Sequence, residues 1–318
     1  MKPITTVMPI IKHLVIAGGA HLGFSYYGAL KTLVQKEFIC LSNIETMYTT
    51  SVGSIVAVIF LLNYDWNIID KYLIDRPWYK LFKIDVTTIF NSLSRGGLYD
   101  VSTMQDVISP LLLGKDISID VTLKEFYEYS NVELHFISTK FKNLELCDIS
   151  YITHPEWRLV DAIYATSCLP IIFIPFETKI GDIYIDGAIN MNYAINQCLN
   201  DGRSKDELLG INYNKDYTVP INKYEEKNPF RLLFFLLDLL LKLWYRIKVP
   251  LSEDSLSVIY QVHIEYQMNN TNDEILLAIK SRDTRKKLID VGSLSATNFI
   301  DRIDKTKNNN VEFKSDVN

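Results

Sequence analysis

The chain has 318 residues, with 33 Lys and Arg against 38 Asp and Glu for a formal charge of −5, and 48% hydrophobic against 22% charged residues. These values exclude a disordered chain, a collagen-like repeat and a basic nucleic-acid protein, and the length buries a core without staples. Cys40, Cys147, Cys168 and Cys198 stand far apart with no Cys-x-x-Cys pair, so neither a disulfide framework nor a zinc site follows and a reducing compartment is expected.

The N-terminal stretch has an apolar run interrupted by Lys12 and His13, which argues against a signal peptide. Residues 13–16 read instead as a buried strand, followed by a Gly-rich turn from Gly18 to Gly23 and by helical spacing at Tyr27, Leu30 and Val34. Residues 46–50 read as a second strand running into Ser51, and 53–63 as a helix. This alternation is the signature of βα units on a parallel sheet. From 65 to 131 the pattern is helical and loop-like, broken at Gly96-Gly97, with Ser102 and Thr122 as expected N-caps. Residues 133–141 and 144–149 alternate as strands, 159–166 form a short helix, and 183–185 a strand ending at Asp186-Gly187. A strand over 208–213 and a helix over 282–300 complete the set. With no repeat and no Pro/Gly linker, residues 1–304 are expected to form one α/β domain, a mostly parallel sheet flanked by helices. Residues 305–318 are expected to be a polar, disordered tail.

Residues 229–249 form the most apolar stretch, but Arg231, Asp238, Lys242 and Arg246 recur at steps of seven, four and four and so line one helical stripe. A central charge costs a spanning helix about 2.5 to 3.5 kcal/mol, which disfavours a membrane span. Three readings stay open: a helix packed on the core by its broad apolar face, one lying in the plane of a membrane, or, against that cost, a span. Its surplus of four positive charges over one negative suits an anionic surface.

Three local patterns carry chemistry. The loop Gly18-Gly19-Ala20-His21-Leu22-Gly23 sits between a strand and a helix, where backbone N–H groups and the helix dipole converge on an anion. It is neither a dinucleotide fingerprint, since Ala20 replaces the second Gly, nor a Walker loop. His21 is expected to be exposed. The second pattern is Ser51 with Gly53 on a strand-to-helix turn, which is either a helix N-cap or a nucleophile elbow. The third is Asp186-Gly187-Ala188 at a strand end. The five histidines (13, 21, 135, 154 and 263) show no triad context, so Asp186 could act directly as base if within about 3 Å of the hydroxyl in a desolvated site.

Together these patterns resemble the patatin-like phospholipase family, which strings a Gly-rich oxyanion loop, a G-x-S-x-G nucleophile and an Asp-Gly-Gly/Ala base in that order. Gly97-Leu98-Tyr99-Asp100, the segment from Ala162 through Thr166 and Ser167 to Pro170, and Arg285 to Ile300 with Gly292 are similar to further stretches of its microbial and viral members. The resemblance covers residues 12 to 304. It implies Ser51 as nucleophile and Asp186 as general base, with the N–H groups of Gly18, Gly19 and Ala20 as the oxyanion hole and Gly23, Gly53 and Gly187 supporting the turns. Leu22 stands where the family has Arg or Lys. Thr49 stands in place of the elbow's first Gly, where its Cβ is expected to crowd a neighbour. The implied activity is acyl-ester hydrolysis of a phospholipid or other acyl lipid, without metal or cofactor. A cytoplasmic protein, peripheral on membranes and without a nucleic-acid partner, is the matching expectation. If the source is viral or an effector-bearing pathogen, as the Ile-, Asn- and Lys-rich usage hints, the site of action would be the host cell. The alternatives are a catalytically silent lipid-binding member and a nucleotide-binding α/β protein.

Overall fold

The computed structural model describes residues 10–83, 94–213, 257–266 and 271–315, with 88, 92 and 239 singly. Apart from Leu239, the apolar segment 229–249 lies outside the described residues. The chain opens with β1 (His13–Ile16), α1 (Gly23–Gln35), β2 (Thr46–Thr50), α2 (Val52–Leu61), α3 (Trp66–Asp75) and α4 (Trp78–Leu81). There follow β3 (Gly97–Tyr99), α5 (Val101–Leu113), α6 (Leu123–Ser130), β4 (Glu133–Lys140), β5 (Glu145–Ile149) and α7 (Leu159–Ser167). The remainder is β6 (Ile171–Phe173), β7 (Phe176–Glu177), β8 (Ile183–Asp186), α8 (Ile195–Asn200), β9 (Leu208–Tyr213), β10 (Tyr260–Ile264), α9 (Thr271–Lys280) and α10 (Arg282–Ser315).

The main sheet runs β10-β9-β1-β2-β4 in parallel, and at the β4 side β5 and β8 pair antiparallel with β4 and β7 antiparallel with β8. β1 and β2 are buried along their whole length, as expected for parallel strands covered on both faces. Their side chains divide with period two: Leu14, Ile16 and Met47 join the larger core, whereas Val15 and Tyr48 pack with Ile195 and Cys198 of α8 on the other face. The polar His13 is admitted because its Nδ1 meets Thr46 Oγ1 at 2.9 Å.

Three strands around β4 set the geometry that matters most. Phe136 and Ile137 pair with both β2 and β5, so those two strands lie on opposite edges of β4. Ser138 to Lys140 pair with both β5 and β8, so β8 lies on the edge that β2 has just left. β2 ends at Thr50 opposite Ile137, and β8, running the other way, ends at Asp186 opposite Ser138. The two strands therefore meet end to end.

Helix α10 covers α1 at very short range. A Cβ on Gly292 would stand 1.8 Å from the Ser25 carbonyl oxygen, and one on Gly28 would stand 2.1 Å from that of Ile289. Small residues on both sides let the backbones touch, and Ser25 Oγ donates across the crossing to Leu288 O at 2.8 Å. Arg285 is buried and spends its guanidinium on carbonyls at the ends of α3 and α9, those of Ile74, Ala278 and Ile279 among them. It thereby supplies donors to helix C-termini that lack them.

Several expectations change. The α5 cap is Asp100, whose carboxylate accepts from Ser102 N at 3.0 Å; Ser102 is the donor and not the cap. A carboxylate at the helix N-terminus gains from the dipole as well as from the bond. Thr122 does cap α6, in a capping box with Glu125. Gly97, read as part of a break, begins β3, which pairs with β6. The chain beyond 304 continues as helix to Ser315, because propagation from a packed helix adds a bond for each residue fixed. No helix among the described residues is long and apolar enough to cross a membrane.

Candidate active site

Ser51 occupies the single residue between β2 and α2, with φ 51° and ψ −126°. A non-glycine residue held in such a conformation costs about 1 to 3 kcal/mol, which its surroundings must supply. Part of that supply is visible: Ser51 N donates to Thr166 Oγ1 at 3.0 Å, and Thr166 Oγ1 in turn donates to Ile137 O of β4. The turn also needs room. A Cβ on Gly53 would come within 2.6 Å of Ile16 O and 2.8 Å of Ala17 O, so α2 starts against the end of β1 only because Gly53 is there. Although Ser51 is at the N-cap position, its side chain makes no capping bond. The side chain lies beside the Asp186 carboxyl instead, near enough to favour its charged form.

Asp186 is buried, at 2% exposure, where β8 ends opposite β2. Burial pushes its carboxyl from the ordinary 3.8 up to about 6, against the bond it accepts from Ala188 N at 2.8 Å and the favourable influence of the neighbouring Ser51 side chain. Its backbone is fixed too, N donating to Cys168 O at 3.1 Å and O accepting from Thr139 Oγ1 at 3.2 Å. Gly187 is required next in the chain, since a Cβ there would sit 1.8 Å from Ile137 O. A carboxylate with its basicity raised toward neutrality, beside a hydroxyl on a helix N-terminus, is an arrangement suited to proton abstraction.

The Gly-rich loop lies alongside. A Cβ on Gly18 would stand 3.2 Å from the Ser51 Cβ, which places the loop against Ser51. The three expected N–H donors are not equivalent. Gly18 N donates to Asn192 O at 3.1 Å, which removes it from the set. Gly19 N and Ala20 N have no backbone or side-chain acceptor among the described residues. Ala20 sits at φ 48°, a left-handed conformation that turns the chain into the short 3-10 helix Ala20–Leu22. Tyr26 Oη and Asn192 Nδ2 hold the Gly18 carbonyl at 3.0 and 3.3 Å. Gly23 abuts Val52, the first residue of α2, where a Cβ would meet the Val52 side chain at 2.3 Å.

The two departures from the family pattern are accommodated without charge or clash. Leu22 is fully buried in the core, and Thr49 is fully buried with its Oγ1 donating to His135 O at 2.8 Å. The expectation of an exposed His21 is overturned: it is 6% exposed, edge-on to Tyr266, with Nε2 facing the Glu274 carboxylate at 3.5 Å. The 3-10 turn aims the ring inward, under α9.

His135, Asp148 and Asp201 bring potential cation ligands within 4.8 Å of one another. Both ring nitrogens are already engaged, Nδ1 with Asp148 at 2.9 Å and Nε2 with Glu133 at 2.8 Å. Burial alone would lower this imidazole, but its bonds to Asp148 and Glu133 outweigh that and raise it to about 9. A proton therefore holds the place a metal would need. The ring also stacks on Tyr48, at 4.0 Å between centroids.

Strand, strained turn and helix, with a buried carboxylate delivered to the turn by a neighbouring strand, define an α/β protein built round a nucleophile elbow. Residues 14–199 match the family described as patatin-like phospholipase, and the chain belongs to that family. The uncharacterized protein R571 of Acanthamoeba polyphaga mimivirus is 27% identical over 223 residues, 67% of this chain and 72% of its own. Among solved structures, VipD from Legionella pneumophila aligns over 89% of this chain and 67% of its own, with TM-score 0.43 and 15% identity. ExoU of the Pseudomonas aeruginosa type III secretion system, crystallised with SpcU, aligns over 91% of this chain at TM-score 0.37 and 15% identity. The alignment spans 53% of the ExoU chain, about half its length.

Thr166 is the residue whose part the sequence left unread. It falls in the segment that resembles the family, but only the structure ties its hydroxyl to the Ser51 amide. Asn192 had no signal at all: its contact with Gly18 joins positions 174 residues apart.

Proposed function

We propose that the protein is a serine-dependent lipid acyl hydrolase working through Ser51 and Asp186. The observation that carries this reading is the Ser51 side chain, unused as a helix cap and placed beside a buried carboxylate raised to about 6. Ser51 Oγ attacks the ester carbonyl carbon while Asp186 takes its proton. The tetrahedral oxyanion receives the N–H groups of Gly19 and Ala20, each such donor being worth about 2.7 to 4 kcal/mol in comparable sites. Collapse breaks the acyl carbon–oxygen bond, and protonated Asp186 returns its proton to the departing alcohol, a lysophospholipid if the substrate is a phospholipid. Asp186 then deprotonates water, which attacks the acyl-enzyme; the fatty acid leaves and Ser51 regains its proton. No group beyond these residues and water is required for the balance.

The working unit is taken as residues 1–304, because β9, β10 and α10 beyond the matched region belong to the same sheet and core. The substrate is an acyl lipid taken from a membrane surface. Fluorophosphonate labelling of the full chain tests the chemistry: an adduct on Ser51, absent in Ser51→Ala, is expected, together with fatty-acid release from a phospholipid panel. Folded protein that neither labels nor releases fatty acid would leave a lipid-binding member without hydrolase activity.

A further inference from the structure

The edge of β4 that aligns β2 with β8 also carries two turns that project past the site. The β4–β5 turn is Phe141-Lys142-Asn143-Leu144, and the β7–β8 turn is Thr178-Lys179-Ile180-Gly181-Asp182. They leave the sheet side by side: Phe141 N donates to Ile183 O at 2.8 Å, and Lys140 pairs with Asp182 at 3.2 Å at their base. At about 3.3 Å per residue, the three-residue step from Ser138 to Phe141 puts the turns about 10 Å beyond the level of Asp186.

Their side chains contradict what a solvated hairpin tip ordinarily carries. Phe141, Leu144 and Ile180 are 55, 54 and 87% exposed, the last being the most exposed large apolar residue among those described. Leu144 holds φ 53°, a conformation for which Gly, Asn or Asp is the inexpensive choice. Leucine there adds backbone strain while leaving its apolar surface in water, so folding stability does not account for it. The nine turn residues include Lys142 and Lys179 against one acid, Asp182, which is paired with Lys140, in a chain whose net charge is −5. The tips are also wired to the site: Leu144 O accepts from Asn190 Nδ2 at 2.6 Å, and Asn190 follows Asp186 by four residues through Gly187–Ile189.

We propose that these paired tips dock the protein on an anionic phospholipid bilayer, Phe141, Leu144 and Ile180 entering the headgroup region and Lys142 and Lys179 resting on lipid phosphates. This rests on the acyl-hydrolase reading for its purpose, since it would set the Ser51 site against the surface that supplies the lipid. Two narrow convex turns, apolar at the points and cationic beside them, fit a deformable interface of lipid headgroups; a protein partner would need a broader complementary face.

The test uses the full chain with phosphatidylcholine vesicles made with and without phosphatidylserine. Wild type is expected to sediment with the serine-containing vesicles. Phe141→Ser/Leu144→Ser/Ile180→Ser should lower that partition at least about tenfold, the order expected when three apolar side chains lose their transfer free energy. Lys142→Glu/Lys179→Glu should abolish the preference for phosphatidylserine. Both variants alter exposed side chains and should match wild type in melting and in hydrolysis of a water-soluble p-nitrophenyl ester. Vesicle partition of the triple variant equal to wild type would overturn the proposal, as would wild type that ignores vesicles or a dimer that the substitutions dissociate. Absence of soluble-ester turnover in wild type would count against the hydrolase reading alone, because partition is measured without catalysis.

Discussion

Replacing Asp186 by Asn should make the protein inactive and, at alkaline pH, more stable. Holding the carboxyl at about 6 in place of 3.8 costs the folded state about 3 kcal/mol at high pH, at about 1.4 kcal/mol for each pH unit. The sign follows from proton binding. A folded group that binds its proton more tightly than the unfolded chain contributes its stability below pH 3.8 and loses it as pH rises through about 6. Asparagine removes the buried charge, keeps an oxygen to accept from Ala188 N, and gives up about 1 kcal/mol of charge-assisted bonding. The variant should therefore gain about 2 kcal/mol over wild type at pH 8 and no advantage at pH 4. Urea unfolding at the two pH values measures this, and the pH–rate profile of wild type should show a rising limb near 6. A variant less stable than wild type at pH 8, or a difference that does not change with pH, would refute the assignment of a desolvated, largely unpaired base.

Thr166→Val leaves the Ser51 amide buried without its acceptor, a loss of about 1 to 3 kcal/mol; kcat should fall at least about tenfold at unchanged KM, with Thr166→Ser restoring it. Gly292→Ala drives a methyl group into the Ser25 carbonyl and should cost about 3 kcal/mol in urea unfolding. Equal stability would show that α1 and α10 separate freely. His135, raised to about 9, stabilises the fold below its ordinary 6.5 and should lose that contribution as pH rises through 9. In His135→Asn the unfolding midpoint should be flat over that interval; a wild-type midpoint that is equally flat would show the ring to be neutral.

The parallel βα core was legible because its strands are short apolar runs between helical patterns, and residues 13–16, 46–50 and 208–213 lie where the spacing put them. Ser51 and Asp186 were legible as chemistry only through their motifs. Their meeting was implied only by the family resemblance, since it depends on β4 presenting one edge to two strands in succession, which no local pattern shows. Short strands such as Ile171–Phe173 and Phe176–Glu177 gave no periodicity to read. His21 failed for a different reason: a polar residue in a glycine-rich loop suggests solvent, and only the Glu274 and Tyr266 side chains of distant segments explain its burial. Ser102 and Asp100 show the limit for caps, where two good candidates stand two residues apart and the charged one prevails.

The end-to-end meeting of β2 and β8 has a consequence during synthesis. The Ser51 turn is built from β1, β2 and α2, all within the first 61 residues, whereas Thr166, which holds its amide, and Asp186, which lies beside it, come more than a hundred residues later. A chain emerging N-terminus first displays the serine long before its base and before Ala188 exists to hold that base. On the proposed chemistry, an incomplete or truncated product is thus quiet. If Ser51 and Asp186 act as proposed, hydrolytic competence arrives only when β8 is laid against β4.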